Sequence, residues 1–174
     1  MSSFPRPAAD ECAPYYVRYI EQVPDGDIVA TLRDTGRTVL DELAAIPESR
    51  GGHRYAEGKW SLREVVGHLI DAERVFAYRA LRIARGDATP LASFDENVYV
   101  QGAGSEARTM ADLVEELRVV REGTVRMLAA LPRDAWSRAG TASDQRVTVR
   151  ALAFIMAGHA LHHARIVRER YAAA

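Results

Sequence analysis

Apolar positions recur along this chain at steps of three and four, the spacing of one helical face, and nowhere in the sustained alternation that a half-buried strand requires. A first long stripe runs through Ile28, Leu32, Thr35, Val39, Leu43 and Ile46 and is stopped by Pro47. Before it, Tyr15, Tyr16, Tyr19 and Ile20 predict a helical turn or two, ended by the turn signal Pro24-Asp25-Gly26. The second long stripe opens at Ser61 with Glu64 three residues on, a capping box in which the serine oxygen and the glutamate each satisfy an orphan N–H. It carries Leu62, Val66, Leu69, Phe76, Ala80 and Ile83 to a stop at Gly86-Asp87 and Pro90. Roughly 25 residues would span about 37 Å. A third stripe starts near Thr109 and carries Leu113, Val114, Leu117, Val120, Thr124, Leu128 and Leu131 to Pro132. The fourth starts near Thr148 and carries Val149, Leu152, Ile155, Met156, Ile166 and Val167 almost to the end.

Four amphipathic helices predict an all-α four-helix bundle. The joins between the first and second helices and between the third and fourth are the shorter ones, and they predict antiparallel neighbours. The join from Gly86 to Arg108 is long enough to run the height of the bundle, which makes the second and third helices parallel and the order up-down-down-up. Leu91, Phe94, Val98 and Tyr99 give this crossing material to pack with, against the alternative of a disordered insert.

Composition narrows the class. The 174 residues predict one domain spanning 1–174, and 48% hydrophobic against 27% charged is too apolar for a disordered chain. Lys and Arg number 23 against 24 Asp and Glu, so the basic footprint of a nucleic-acid binder is absent. Cys12 is the single cysteine and makes no intrachain disulfide. The start lacks the apolar core of a signal peptide, and no run of ~18 apolar residues occurs. The expectation is a soluble, cytoplasmic protein that engages neither nucleic acid nor membrane.

The histidines carry the candidate chemistry. His68, His159, His162 and His163 fall inside predicted helices, on or beside the apolar stripes, whereas His53 sits beside Gly51-Gly52 in a linker and reads as solvated. His159 and His163, four apart, project from one helical face one turn above the other. Such a pair can hold one metal ion about 2 Å from each ring nitrogen, and a third ligand from a facing helix leaves positions open to substrate. The competing reading is a set of core histidines bonded to backbone or carboxylate, each costing ~1–3 kcal/mol if its partner is missing. His162, three after His159, has a spacing a metal also accepts. Gly67 and Gly158 each precede a histidine inside a helix, where glycine costs about 1 kcal/mol against alanine. Close helix approach or room for a ligand would offset that.

Lys59-Trp60-Ser61 leading through Glu64 to Gly67-His68-Leu69-Ile70-Asp71, and Gly158-His159-Ala160-Leu161-His162-His163, resemble the motifs of the DinB-like superfamily, close to the YfiT-type metal-dependent hydrolases. The likeness runs from Ala13 to Tyr171 and includes Phe94-Asp95-Glu96-Asn97 in the crossing. It implies an up-down-down-up bundle, a homodimer, and a divalent metal held by three histidines, which by position are His68, His159 and His163. Four further residues are candidates for orienting those ligands. Glu64 and Asp71 lie one turn before and after His68, Asp95 lies in the crossing, and His162 flanks the pair. Glu64 also completes a capping box, Asp71 has Arg74 within reach, and Asp95 can cap a turn.

Three neutral imidazoles leave an ion its full charge, suited to activating water or binding a thiolate. The expected activities are therefore metal-dependent hydrolysis and thiol-dependent transfer on a small molecule. Relatives in the superfamily include low-molecular-weight-thiol-dependent transferases and isomerases. Zinc is the first expectation for the ion, with nickel and iron as alternatives. No arrangement of serine, cysteine and histidine suggests a protein nucleophile, and no catalytic residue is assigned. The alternatives are a non-catalytic metal-binding stress-response protein and a structural dimeric bundle.

Overall fold

The computed structural model describes residues 4–171; residues 1–3 and 172–174, at the ends of the predicted domain, lie outside the described residues. The four predicted helices form α2 (Ile28–Ala44), α3 (Leu62–Ala84), α5 (Met110–Ala129) and α6 (Val149–Ile166). The tyrosine-rich segment contributes the short α1 (Val17–Ile20), and the crossing contains α4 (Glu96–Gly102). Each long helix begins at a side chain that accepts from its first turn: Asp27 for α2, Ser61 for α3, Thr109 for α5 and Thr148 for α6. At Ser61 the box closes, because Glu64 accepts in return from the Ser61 N–H at 2.8 Å.

Contacts between the helix ends set the directions. Glu48, just beyond α2, reaches Arg63 at the start of α3 and accepts from Met110 N at the start of α5. Those two helices therefore run the same way, and opposite to α2. Arg138, just before α6, donates to Ala84 O at the end of α3, while Tyr171 OH, just beyond α6, donates to Trp60 O at its start. Arg168 meets Glu42 where α6 and α2 both finish. The order is up-down-down-up, as predicted.

One detail of the connectivity is different. Both α2 and α3 pack against α5 and α6, so chain-consecutive α2 and α3 occupy opposite corners of the bundle, as do α5 and α6. The expectation that the shorter joins link neighbouring helices is corrected: they link antiparallel helices across the diagonal. The joins manage this because they hold structure of their own, a 3-10 turn at Glu48–Arg50 and another at Arg133–Ser137 followed by a β-hairpin.

That hairpin, β1 (Ala139–Ala142) paired antiparallel with β2 (Gln145–Thr148), is absent from the sequence reading. Its strands are too short to show alternation, and its turn places Ser143 and Asp144 at φ 52° and 59°, without the Asn-Gly or Asp-Gly signal such turns favour. It anchors the crossing, since Leu91 N donates to Thr141 O and Ser143 N to Leu91 O. The crossing is packed, as expected, but only in part through the expected residues. Leu91 and Val100 are buried, whereas Val98 and Tyr99, expected to pack, are 61% and 44% exposed. Among the described residues no helix is long and apolar enough to cross a membrane.

Glycines in α6 and α5 make opposite demands. A Cβ on Gly158 would lie 1.9 Å from the Tyr19 carbonyl oxygen, a backbone atom of α1 that has nowhere to go; on Gly123 it would meet nothing within 4 Å. Gly158→Ala is expected to destabilise by at least about 2 kcal/mol, and Gly123→Ala to stabilise by up to about 1 kcal/mol. Urea denaturation of the two variants checks this, and equal effects would refute the close approach.

Candidate metal centre

Antiparallel packing of α3 on α6 brings the second turn of one helix against the last turns of the other. His68 projects from α3 into that seam, and His159 and His163 project toward it from α6. Both preceding glycines let neighbouring chain come close. At Gly158 it is α1, whose Tyr19 ring lies edge-on to His159 at 5.4 Å; at Gly67 a Cβ would stand 2.2 Å from Ser105 Oγ in the crossing.

The three imidazoles converge. One nitrogen of each lies within 4.8 Å of the others, and His68 Nε2 is 3.1 Å from His159 Nε2. Two imidazole nitrogens on one tetrahedral zinc would stand about 3.3 Å apart, so the spacing fits a shared ion. His163 Nδ1 is buried with no hydrogen-bond partner. Burial pushes the His68 pKa down to about 4 and the His163 pKa to about 3, and it holds His159, beside both, well below the ordinary range. At neutral pH all three are uncharged with lone pairs available, the form a cation requires. As simple core histidines they would form a poorly satisfied cluster, with one ring-to-ring hydrogen bond and an orphaned nitrogen. The donor set fits a divalent metal.

The cluster lies in the wall of a cleft of about 210 Å³. Tyr15, Tyr16, Tyr19, Trp60, Phe76 and Phe94 make that wall largely aromatic, with the Trp60 ring 4.8 Å from the His68 ring. Glu96, in the first turn of α4, is its one carboxylate among the described residues. A larger groove of about 570 Å³ runs between α2 and α5, bordered by Arg33, Arg37, Arg118 and Arg126, and holds none of the histidines.

The other sequence candidates separate clearly. Glu64 is spent on its capping box and on Arg54, 2.5 Å away, and is not in the cleft wall. Asp71 is half-buried, with its pKa raised by burial, and also lies outside the wall; Arg74, its expected partner, pairs with Glu116. Asp95 caps α4 by accepting from Asn97 N and Val98 N, and Glu96, one residue on, faces the cleft instead. His162 lines the cleft outside the three-nitrogen cluster, its ring edge-on to Tyr19 and its Nδ1 3.4 Å from Arg165. His53 is half-buried beside Tyr171 rather than freely solvated. Cys12 is buried, and burial raises its thiol pKa, so it is no ready nucleophile. Glu96 and the aromatic wall went unassigned in the sequence because only the fold brings the crossing and the N-terminal segment to the histidines.

The model of the DinB superfamily matches residues 31–167. Among solved structures, the chain is similar to YfiT of Bacillus subtilis, "a probable metal-dependent hydrolase with an unusual four-helix bundle topology". That match has a TM-score of 0.74 and 15% identity, over 97% of this chain and 92% of the other. It is similar to a mycothiol-dependent maleylpyruvate isomerase at TM-score 0.69 and 15% identity, over 84% of this chain and 61% of that one. It is also similar to a DinB-like protein of Bacillus subtilis, at TM-score 0.59 and 24% identity over 83% and 91%. No curated protein matches the sequence significantly. At these identities the likenesses establish a shared fold, and the family model, which spans most of the chain, establishes the lineage: this protein belongs to the DinB superfamily.

Proposed function

We propose that the chain is a divalent-metal-dependent enzyme acting on a small molecule, with His68, His159 and His163 as the metal ligands and hydrolysis as its reaction class. The observation that carries this reading is the convergence of three buried, uncharged imidazole nitrogens on an open cleft. An ion there, zinc first and nickel or iron next, would supply Lewis acidity undiminished by anionic ligands. The aromatic wall offers flat ring surface to a substrate, and the Glu96 carboxylate is placed to accept a proton at the cleft. A second reading, transfer by a bound low-molecular-weight thiol, is favoured by the likeness to a mycothiol-dependent isomerase and uses the same ligands. A homodimer of single-domain subunits completes the proposal.

Elemental analysis of untagged protein tests the centre. About one divalent ion per chain is expected. Replacement of His68, His159 or His163 by Ala should abolish binding in a folded bundle, whereas His162→Ala should retain it. No metal after reconstitution would leave a structural bundle, and metal loss in His162→Ala with retention in His163→Ala would reassign the ligands.

Burial of neutral histidines also has a thermodynamic signature. Their folded pKa values lie below the ordinary 6.5, so the unfolded chain takes up protons that the folded chain refuses. Stability of the metal-free protein is therefore full above pH 6.5 and falls as the pH drops toward 4, by about 2 kcal/mol per histidine at pH 5. Urea titrations across that range measure it, and a flat profile would contradict the burial.

Glu96→Gln is expected to keep the metal and to lower turnover of activated aryl esters by about 10²-fold or more. Unchanged turnover would remove Glu96 from the reaction. Activity only with added thiol would select the transferase reading.

A further inference from the structure

The apolar core is interrupted midway along the bundle. One buried cluster includes Leu32, Phe76, Val125 and Met156, and a second includes Val39, Leu69, Leu117 and Ala160. Between them, each long helix places a polar side chain or none: Gly36 on α2, Glu73 on α3, Arg121 on α5 and His159 on α6. Arg121 Nη2 donates to Glu73 Oε2 at 2.9 Å and Nη1 donates to Leu32 O at 3.2 Å. Arg121 Nε also lies 2.9 Å from Glu73 Oε1, but out of line for a hydrogen bond.

This pair is costly to keep. Glu73 and Arg121 are 4% and 6% exposed, and ion pairs so deeply buried rarely repay their desolvation. The pair also requires a glycine within α2, because a Cβ on Gly36 would stand 2.9 Å from Arg121 Cγ. What distinguishes the location is His159. A void of about 10 Å³, room for a single water, is lined by Glu73, Arg121 and His159 together. His159 turns Nε2 toward His68, which leaves Nδ1 as the ring's second hydrogen-bonding atom.

We propose that the Glu73–Arg121 pair positions His159: Nδ1–H donates a hydrogen bond to one water in this void, and that water donates in turn to the Glu73 carboxylate, leaving the Nε2 lone pair aimed at His68 and His163. Arg121 holds the carboxylate in place through its Nη2 donation. The significance of the tautomer rests on the metal reading above, but its existence does not. In the metal-free protein, His68 Nε2–H then donates to His159 Nε2, and a cation entering the cluster requires only that this proton move to His68 Nδ1, with His68 staying neutral. Hydrogen bonding behind a liganding imidazole is worth about 10–100-fold in metal affinity.

The test is ¹⁵N NMR of the histidine rings in metal-free protein at pH 7.5, with His159 assigned by the loss of its signals in His159→Gln. The expected state is protonated Nδ1 and unprotonated Nε2. An Nε2–H tautomer overturns the proposal whether or not the protein binds metal. The double variant Glu73→Met, Arg121→Met removes both charges together. It is expected to fold, to lose the tautomer preference and to bind zinc about 10–100-fold more weakly. A folded double variant with unchanged tautomer and zinc affinity would make the pair merely structural. If the double variant does not fold, the tautomer in the unmodified protein decides. Absence of zinc binding by the unmodified protein would sink the proposed function and leave the tautomer result standing.

Discussion

The structure depends on the burial of α6. From Ala151 to Ala160 it is buried on every side, an apolar stretch of the kind that packs inside a core. It achieves this by being slim: Ala151, Ala153, Ala157, Gly158, Ala160 and Ala164 let α1, α2 and α3 all pack against it. A helix held on three sides cannot rotate or slide without disturbing each contact. The two histidines it carries inherit that immobility, and His68 meets them from α3, which packs directly on the same helix. Ligands on two rigid helices are held more closely than ligands on loops.

Slimness also explains the connectivity. α6 must contact both α2 and α3, which run in opposite directions, and α5 fills the remaining corner against the same two. Each short join therefore crosses a diagonal, and the long crossing returns alongside α3 to the level of the histidines, where Phe94 and Glu96 wall the cleft and Ser105 covers Gly67. The long join thus carries cleft residues as well as spanning the bundle.

Most of the scaffold was legible before the structure. Ser61, Thr109 and Thr148 as starts, Pro47 and Pro132 as stops, and the stripes between them are local signals, and the helices they bound are those observed. What escaped is non-local. Periodicity identifies the face a helix buries but not which helix covers it, so the diagonal order was invisible. The hairpin turns on two residues with positive φ and no glycine. In the crossing, Asp95 and Glu96 are both acidic and adjacent, and the cap claims the first because a β-region residue ahead of a helix folds its carboxylate back onto its own N–H groups. The second is then the one free to face outward. Glu73 and Arg121 sit on different helices, with nothing in the sequence to link them.

The choice between His162 and His163 shows how far helix geometry alone can carry an assignment. With 3.6 residues per turn, a residue three on from His159 lies about 60° to one side of it and a residue four on about 40° to the other. The two imidazoles therefore diverge although they are adjacent in sequence. Which side joins the cluster is decided by where the facing helix lies. α3 is on the His163 side, so the His163 ring stands 4.9 Å from that of His68, while His162 turns toward Tyr19 of α1. Spacing admitted both residues, and angle divided them. The packing of α1 and α3 on different flanks of one slim helix gives one imidazole to the cluster and the other to the rim of the cleft.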